Sequence, residues 1–187
     1  MVIAIEHDYT DLVFQNIIAS IFEIDQSDLI DENVIIIDML KETKYDEAEI
    51  KRINEVYRKI QTVFGRNNTI IKRHPRDTTS YDLSIKCFEN ESIPFECLCT
   101  QVDMNKKVLI GLYSTALIIP KLLLDQEPTV ILLYRLFERL AQSPEARKKQ
   151  DMFYDSFKDR YMRDNKFFIP ETMDELDEAL IAASTNI

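Results

Sequence analysis

The chain has 187 residues, of which 45% are apolar, and a formal net charge of −10. Ten Phe and eight Tyr suffice for a hydrophobic core, which excludes an intrinsically disordered chain. Only two glycines are present, which argues against a Gly-rich phosphate loop, a dinucleotide-binding fingerprint or a nucleophile elbow, because each needs several glycines at fixed spacing.

Charge is segregated along the sequence. Residues 1–50 hold 13 acids and two bases, residues 51–76 hold eight bases and one acid, and residues 171–187 hold five acids and no base. Such asymmetry indicates either a charged partner or one part of the fold lying against another part.

The first 45 residues contain three predicted elements. Residues 2–5 suit a short buried strand, and Thr10 can cap a helix whose apolar residues recur at helical spacing through Phe22. Residues 33–40 are ambiguous, because a β-branched run is followed by residues typical of a helix. We favour a helix over residues 33–40.

Residues 46–64 give the clearest helix signal. Asp46 and Glu49 have the spacing of a capping box, and Tyr45 can pack on Ile50 as a hydrophobic staple. Apolar residues then recur every three or four positions, and Gly65 follows where a left-handed residue ends a helix.

Residues 69–113 predict an antiparallel meander. Residues 69–74 form a first strand, and alternating apolar and polar residues over 81–87 form a second with one solvent-facing side. Residues 95–102 form a third strand. Residues 107–113 form either the last strand or the start of a helix.

The remainder of the sequence predicts helices. Pro128 suits a first helical turn ahead of apolar residues through Ala141, and Ser143 caps a charged helix. Thr172 and Glu175 have the spacing of a second capping box.

The order of the elements predicts the α+β class. We expect a single domain over residues 1–170, with helices flanking a three- to four-stranded antiparallel sheet at about 69–113 and a helical C-terminal third. Residues 171–187 form an acidic amphipathic helix that docks on the same domain.

No catalytic or metal-binding set emerges from residue spacing. Cys87, Cys97 and Cys99 are an odd number without a CxxC pair, which favours a reducing compartment and core roles for Cys97 and Cys99. The chain shows neither a signal peptide nor an apolar stretch long enough to span a bilayer. We therefore expect a cytoplasmic protein without membrane contact, cofactor or metal.

Basic residues near the first strand of the predicted meander are candidate anion ligands, because forked arginine donors suit phosphate. Few aromatic side chains accompany them, and the net charge opposes a polyanion. The leading interpretation is that this segment packs against acidic residues or faces water. The candidate residues are Arg66, Lys72, Arg73, His74 and Arg76.

Acidic residues between the first two predicted helices are a candidate partner-binding surface, because dense carboxylates present a phosphate-like surface to a basic protein. The segment lacks the alternating ligands and central glycine of an EF-hand, which argues against calcium. The residues of this acidic surface are Glu23, Asp25, Asp28, Asp31, Glu32 and Asp38.

These features predict a protein without catalytic activity. We expect an acidic intracellular interaction protein, namely an inhibitor, immunity protein, antagonist or specialised chaperone that masks a basic or nucleic-acid-binding partner surface. The alternative is a nucleic-acid-binding protein or metal-dependent nuclease that uses residues 66–76 with Asp82 and Glu96. The sequence specifies neither the partner protein nor the oligomeric state.

Overall fold

A computed structural model describes residues 11–37, 46–74, 85–112, 114–137 and 143–187. Within these residues the backbone forms six strands and six α-helices. The strands are β1 (Val34–Ile37), β2 (Thr69–Lys72), β3 (Lys86–Cys87), β4 (Val108–Gly111), β5 (Thr129–Leu132) and β6 (Phe167–Phe168). The helices are α1 (Leu12–Ile21), α2 (Glu47–Phe64), α3 (Phe95–Cys99), α4 (Ile119–Leu124), α5 (Pro144–Tyr161) and α6 (Met173–Ser184).

The six strands form one sheet in the order β3-β2-β1-β4-β5-β6, and every neighbouring pair is parallel. This is the order of a doubly wound α/β sheet, in which the chain builds outward from β1 in one direction and then from β4 in the other. Because all strands run the same way, their carboxyl ends lie along one side of the sheet. We call this side the carboxyl edge and the opposite side the amino edge.

Helices cover both faces of the sheet. On one face, α2 and α6 bury Ile60 and Leu180 against Ile36 and Ile110 of the strands. On the other face, segments that include α3, α4 and α5 pack against the alternate strand residues, such as Ile35 and Leu109. The central strands β1, β2, β4 and β5 are consequently buried along their whole length.

The predicted antiparallel α+β meander is therefore wrong, and the fold is α/β with a parallel sheet. Residues 33–40, expected to be helical, contain β1, and residues after Pro128, also expected to be helical, form β5. Both strands are covered on two faces, so their sequences are continuous apolar runs without the alternation that marks a half-exposed strand. Residues 95–102, expected to be a strand, begin with helix α3.

The helices with strong capping signals were predicted correctly. Helix α2 carries the complete capping box, in which Asp46 accepts from Glu49 N at 2.8 Å and Glu49 accepts from Asp46 N at 3.0 Å. Ser143 caps α5 by accepting from Ala146 N. Thr172 caps α6 by accepting from Glu175 N, but the Glu175 carboxylate accepts from the backbone N of Glu171 and not from that of Thr172.

Some predicted segments lie outside the described residues. These are the strand at residues 2–5, the first part of the strand at 81–87, and the end of the apolar run at Ala141. Helix α1 is described and begins after Asp11, which accepts from Val13 N at 2.7 Å.

Candidate functional site

Strand register places four residues in one row along the carboxyl edge. Lys72 of β2 pairs with Ile37 of β1, Ile37 pairs with Gly111 of β4, and Gly111 pairs with Leu132 of β5. The direction of winding reverses between β1 and β4, so this row crosses the topological switch point. In open α/β sheets, ligands bind in the crevice outside the carboxyl ends of the strands at that point.

Gly111 allows a turn to pack closely against the end of β4. A Cβ atom at this position would lie 2.9 Å from the carbonyl oxygen of Ile37 and 3.1 Å from Leu117 Cδ1. Ser114 then caps a 3-10 turn, Thr115–Leu117, by accepting from Ala116 N at 3.2 Å. The Ser114 and Thr115 side chains therefore follow the strand end directly at the switch point.

The candidate anion ligands at the end of β2 have different surroundings. Lys72 is buried, donates to the carbonyl oxygen of Glu91 at 2.8 Å and lies 5.1 Å from the ring centroid of Phe88. Desolvation lowers the pKa of Lys72, and its hydrogen bond ties β2 to the turn after β3. Arg73 and His74 are half-buried and continue past the strand onto the carboxyl edge.

The structure separates the other predicted basic and nuclease residues. Arg66 precedes β2, so it lies at the amino edge, across the sheet from Arg73. Glu96 is exposed on helix α3, so the predicted pair of acids on neighbouring strands is wrong. Arg76 and Asp82 lie outside the described residues.

The predicted acidic surface lies ahead of β1 and reaches the amino edge. Asp25 and Asp28 cap a short 3-10 turn, where Asp28 accepts from Asp25 N at 3.1 Å and Asp25 accepts from Ser27 N at 2.7 Å. Glu23 and Asp31 are exposed, and Asp38 lies outside the described residues. Asp25 and Asp28 therefore have a local structural role in capping the backbone, which explains part of the acidic cluster.

Basic residues at the amino edge of the sheet bind residues 30–32, at the end of the acidic stretch before β1. Glu32 is buried and pairs with Lys86 at 2.6 Å. Lys107 Nζ donates to the carbonyl oxygens of Ile30, Asp31 and Glu32 at 2.9, 3.1 and 3.0 Å. The segment also meets the start of β2, since Asn33 N donates to Asn68 Oδ1 at 3.0 Å.

The structure also contains a cleft that the sequence analysis did not identify. It has a volume of about 420 Å³ and opens at the carboxyl edge, between the first turns of α2, the segment after β5 and the segment before α6. We call it the Arg52 cleft. It is lined by Ala48, Glu49, Arg52, Arg135, Leu136, Phe137 and Glu171.

The two arginines of this cleft differ in their partners. The Arg52 guanidinium lies 5.8 Å from the ring centroid of Phe137. Arg135 donates to Asp151 at 2.9 Å, to Glu171 at 3.0 Å and to Asp155 at 3.4 Å. Arg135 therefore joins the end of β5 to α5 and to the segment before α6.

Hydrogen bonds fix the protonation states around Arg135. Burial would lower the pKa of the Arg135 guanidinium, but the hydrogen bond to Asp151 and the nearby charges outweigh it and raise that pKa. Burial and a 2.6 Å hydrogen bond to Asp151 raise the pKa of the Tyr134 hydroxyl. The two donors lower the pKa of Asp151 against the effect of its partial burial. Arg135 thus remains cationic and Tyr134 remains neutral.

The sequence predicts this cleft only if residues 129–132 are recognised as the parallel strand β5. When residues 129–132 are read as helix, Arg135 and Phe137 fall on opposite sides of a helix and share no site. When they are read as a parallel strand, the residues that follow lie at the carboxyl edge, beside the start of the helix that follows β1.

The cysteines and the remaining acids suggest no further centre. Burial raises the pKa of the Cys97 and Cys99 thiols, so both remain protonated and packed near the second face of the sheet. Among the described residues, no three His, Cys, Asp or Glu side chains are grouped to hold a metal ion. Within the same residues, no helix is both long and apolar enough to cross a membrane.

Comparison with known proteins gives one family. The family model described as alpha-2,8-polysialyltransferase (POLYST) matches residues 5–134, which include β1 to β5. No curated protein and no solved structure matches the chain. The family match overturns the predictions of a non-enzymatic masking protein and of a nuclease, because its members are glycosyltransferases that synthesise polysialic acid. The chain belongs to the alpha-2,8-polysialyltransferase family.

Proposed function

We propose that this chain binds a nucleotide-activated sialic acid at its carboxyl edge and transfers the sialyl group to a hydroxyl of a sialic acid chain. The observation that carries the proposal is the coincidence of the family match with the switch point. The matched residues 5–134 contain both β1 and β4, whose carboxyl ends form the crevice.

The donor in this reaction is an anion whose phosphate leaves with the bonding electrons. Transfer is favoured when hydrogen-bond donors and cations are held in fixed positions facing the atoms on which negative charge develops. Arg73 provides forked donors that suit a phosphate, and the His74 imidazole can donate a hydrogen bond or a proton to the leaving oxygen. Both residues follow β2 directly onto the carboxyl edge.

The segment after β4 supplies neutral groups to the same crevice. Ser114 and Thr115 lie three and four residues beyond Gly111, and the close approach of Leu117 to Gly111 holds their turn against the strand end. Hydroxyl groups can donate to phosphate or to sugar oxygens without adding charge. We assign this turn to the part of the crevice that binds the activated sialic acid.

Replacing Arg73 with Ala tests the position of the donor phosphate. We expect the affinity for cytidine monophosphate, used as a probe for the leaving group, to fall at least tenfold in calorimetric titration, because a charge-assisted hydrogen bond is lost. We also expect elongation of a fluorescent α2,8-linked oligosialic acid by CMP-sialic acid to fall in parallel.

Arg66→Ala is the matched control. It removes the same charge next to the same strand, but at the amino edge, so we expect binding and elongation close to those of the unmodified protein. The proposal fails if the unmodified protein neither binds cytidine monophosphate nor elongates the acceptor. Equal losses in Arg66→Ala and Arg73→Ala would contradict the placement of the donor at the carboxyl edge.

A further inference from the structure

The Arg52 cleft has the size and lining of a site for one sugar residue. Its volume of about 420 Å³ lies near the lower end of the range for small-molecule sites. Leu136 and Phe137 are buried and give it an apolar wall, while Glu49, Arg52 and Glu171 give it polar groups.

Arg52 is the cation in this cleft that is open to a ligand. It is exposed, its guanidinium lies over the Phe137 ring, and it makes no ion pair with any of the described residues. An arginine stacked on a ring keeps its planar fork oriented and its N–H edge accessible, which suits a carboxylate. Arg135, by contrast, is neutralised by three carboxylates.

The charge of the lining favours a single carboxylate over a phosphate. Glu49 and Glu171 line the cleft beside Arg52, and Asp151 and Asp155 lie next to Arg135. A second negative charge on the ligand would meet these acids without a further free cation among the described residues of the lining. The same acids accept hydrogen bonds from hydroxyl groups, so the lining suits a polyhydroxylated monoanion.

We propose that the Arg52 cleft binds one sialyl residue, with its carboxylate paired to Arg52, its hydroxyls facing Glu49 and Glu171, and its apolar side against Phe137. This inference rests on the proposed function, since the family match is the reason for expecting sialic acid as the ligand. Donor and acceptor both carry this carboxylate, and the position of the phosphate ligands distinguishes between them.

The cleft and the predicted phosphate ligands share one edge of the sheet. Arg73 follows β2, Phe137 follows β5, and three strand spacings separate these two strands, which corresponds to about 14 Å. In an activated sialyl donor the phosphate oxygen and the carboxylate are attached to the same carbon atom, so a donor whose phosphate lies at Arg73 cannot reach the Arg52 cleft with its carboxylate. The sialyl residue in the Arg52 cleft therefore belongs to the acceptor chain, and Arg52 contributes to acceptor recognition without contributing to nucleotide binding.

Arg52→Ala tests this assignment by equilibrium titration with three probes: cytidine monophosphate, CMP-sialic acid and α2,8-linked disialic acid. We expect unchanged affinity for cytidine monophosphate and at least a tenfold loss for disialic acid, which identifies the residue in the cleft as part of the acceptor. A loss for CMP-sialic acid alone would contradict the placement of the donor phosphate at Arg73. Arg52→Lys should recover only part of the affinity, because an ammonium lacks the planar fork.

Lys51→Ala is the matched control, because Lys51 is an exposed base on the same turn of α2 but does not line the cleft. It should bind all three probes as the unmodified protein does. The inference is overturned if Arg52→Ala retains full affinity for disialic acid, or if the unmodified protein does not bind disialic acid. Failure of the proposed function gives a different result: the unmodified protein would neither bind cytidine monophosphate nor elongate the acceptor.

Discussion

At the scale of single residues, Gly111 determines how closely β1, β4 and the following turn meet. The position where its Cβ would stand is 2.9 Å from a backbone oxygen of β1, which cannot move without disturbing the sheet. We therefore expect Gly111→Ala to lower the free energy of unfolding by about 1–3 kcal/mol, as overpacking does. Because the turn 114–117 shifts with it, affinity for cytidine monophosphate should also fall. Chemical denaturation and calorimetric titration measure the two effects.

Gly65→Ala separates stability from ligand binding. Gly65 has φ +85°, which strains any residue with a side chain, but nothing lies within 4 Å of its Cβ position. We expect a loss of about 1–2 kcal/mol in the free energy of unfolding and normal nucleotide affinity, since Gly65 ends α2 at the amino side of β2. Unchanged nucleotide affinity in Gly111→Ala would contradict the role assigned to the turn.

The glycine count illustrates what residue-level reading of the sequence can provide. The presence of only two glycines argues against glycine-rich phosphate motifs, but that argument concerns one way of binding a nucleotide and not the doubly wound fold itself. Arg73 and His74 are candidate anion ligands because of their charge and hydrogen-bond donors, without any information on their position in the fold. Arg52 is not among the candidates that the sequence suggests, since its neighbour Phe137 is 85 residues away in sequence.

At the scale of elements, capping signals located helices α2, α5 and α6 correctly, whereas the buried strands were predicted poorly. A capping box involves residues three positions apart, so Asp46 and Glu49 identify the start of α2 without tertiary information. Strands β1 and β5 are only four residues each and buried on both faces, so their identity depends on neighbouring strands that lie far away in sequence. Helix α3 was mistaken for a strand because its five residues are too few to show helical periodicity.

Helix α6 joins the acidic tail to the rest of the fold through its apolar side. Leu180 is fully buried and packs with α2 residues such as Ile60, whereas Ile181 is 62% exposed. We expect Leu180→Ala to cost about 2–5 kcal/mol of the free energy of unfolding, and Ile181→Ala less than about 0.5 kcal/mol. Denaturant midpoints of the two variants measure this difference, and similar midpoints would show that α6 does not belong to the core.

At the scale of the whole molecule, the segregated charges lie on different sides of the sheet. The acidic segment that ends at Glu32 is held at the amino edge by Lys86 and Lys107. The acidic tail pairs with the basic helix α2, where Lys59 and Asp177 lie 2.7 Å apart. Among the described residues, Arg73, His74 and Arg52 are bases that lie at the carboxyl edge.

Strand order is the part of the fold that local patterns do not reveal. The sequence places β3 and β4 in succession, yet β2 and β1 lie between them in the sheet. The parallel arrangement places the carboxyl ends of β1, β4 and β5 side by side. The Arg52 cleft lies at the same edge of the sheet. Arg73 and His74 could therefore be named from the sequence as candidate anion ligands, but their position at the carboxyl edge could not be predicted.

Hydrogen–deuterium exchange with saturating CMP-sialic acid most directly tests the claim that the carboxyl edge binds an activated sialyl donor. We expect slower exchange in peptides that contain residues 73–74, 111–112, 114–117 and 134–137, which lie at that edge. Peptides that contain residues 25–33 and 103–107, which lie towards the amino edge, should exchange as in the free protein. Protection confined to the amino-edge peptides, or no protection anywhere, would contradict the account.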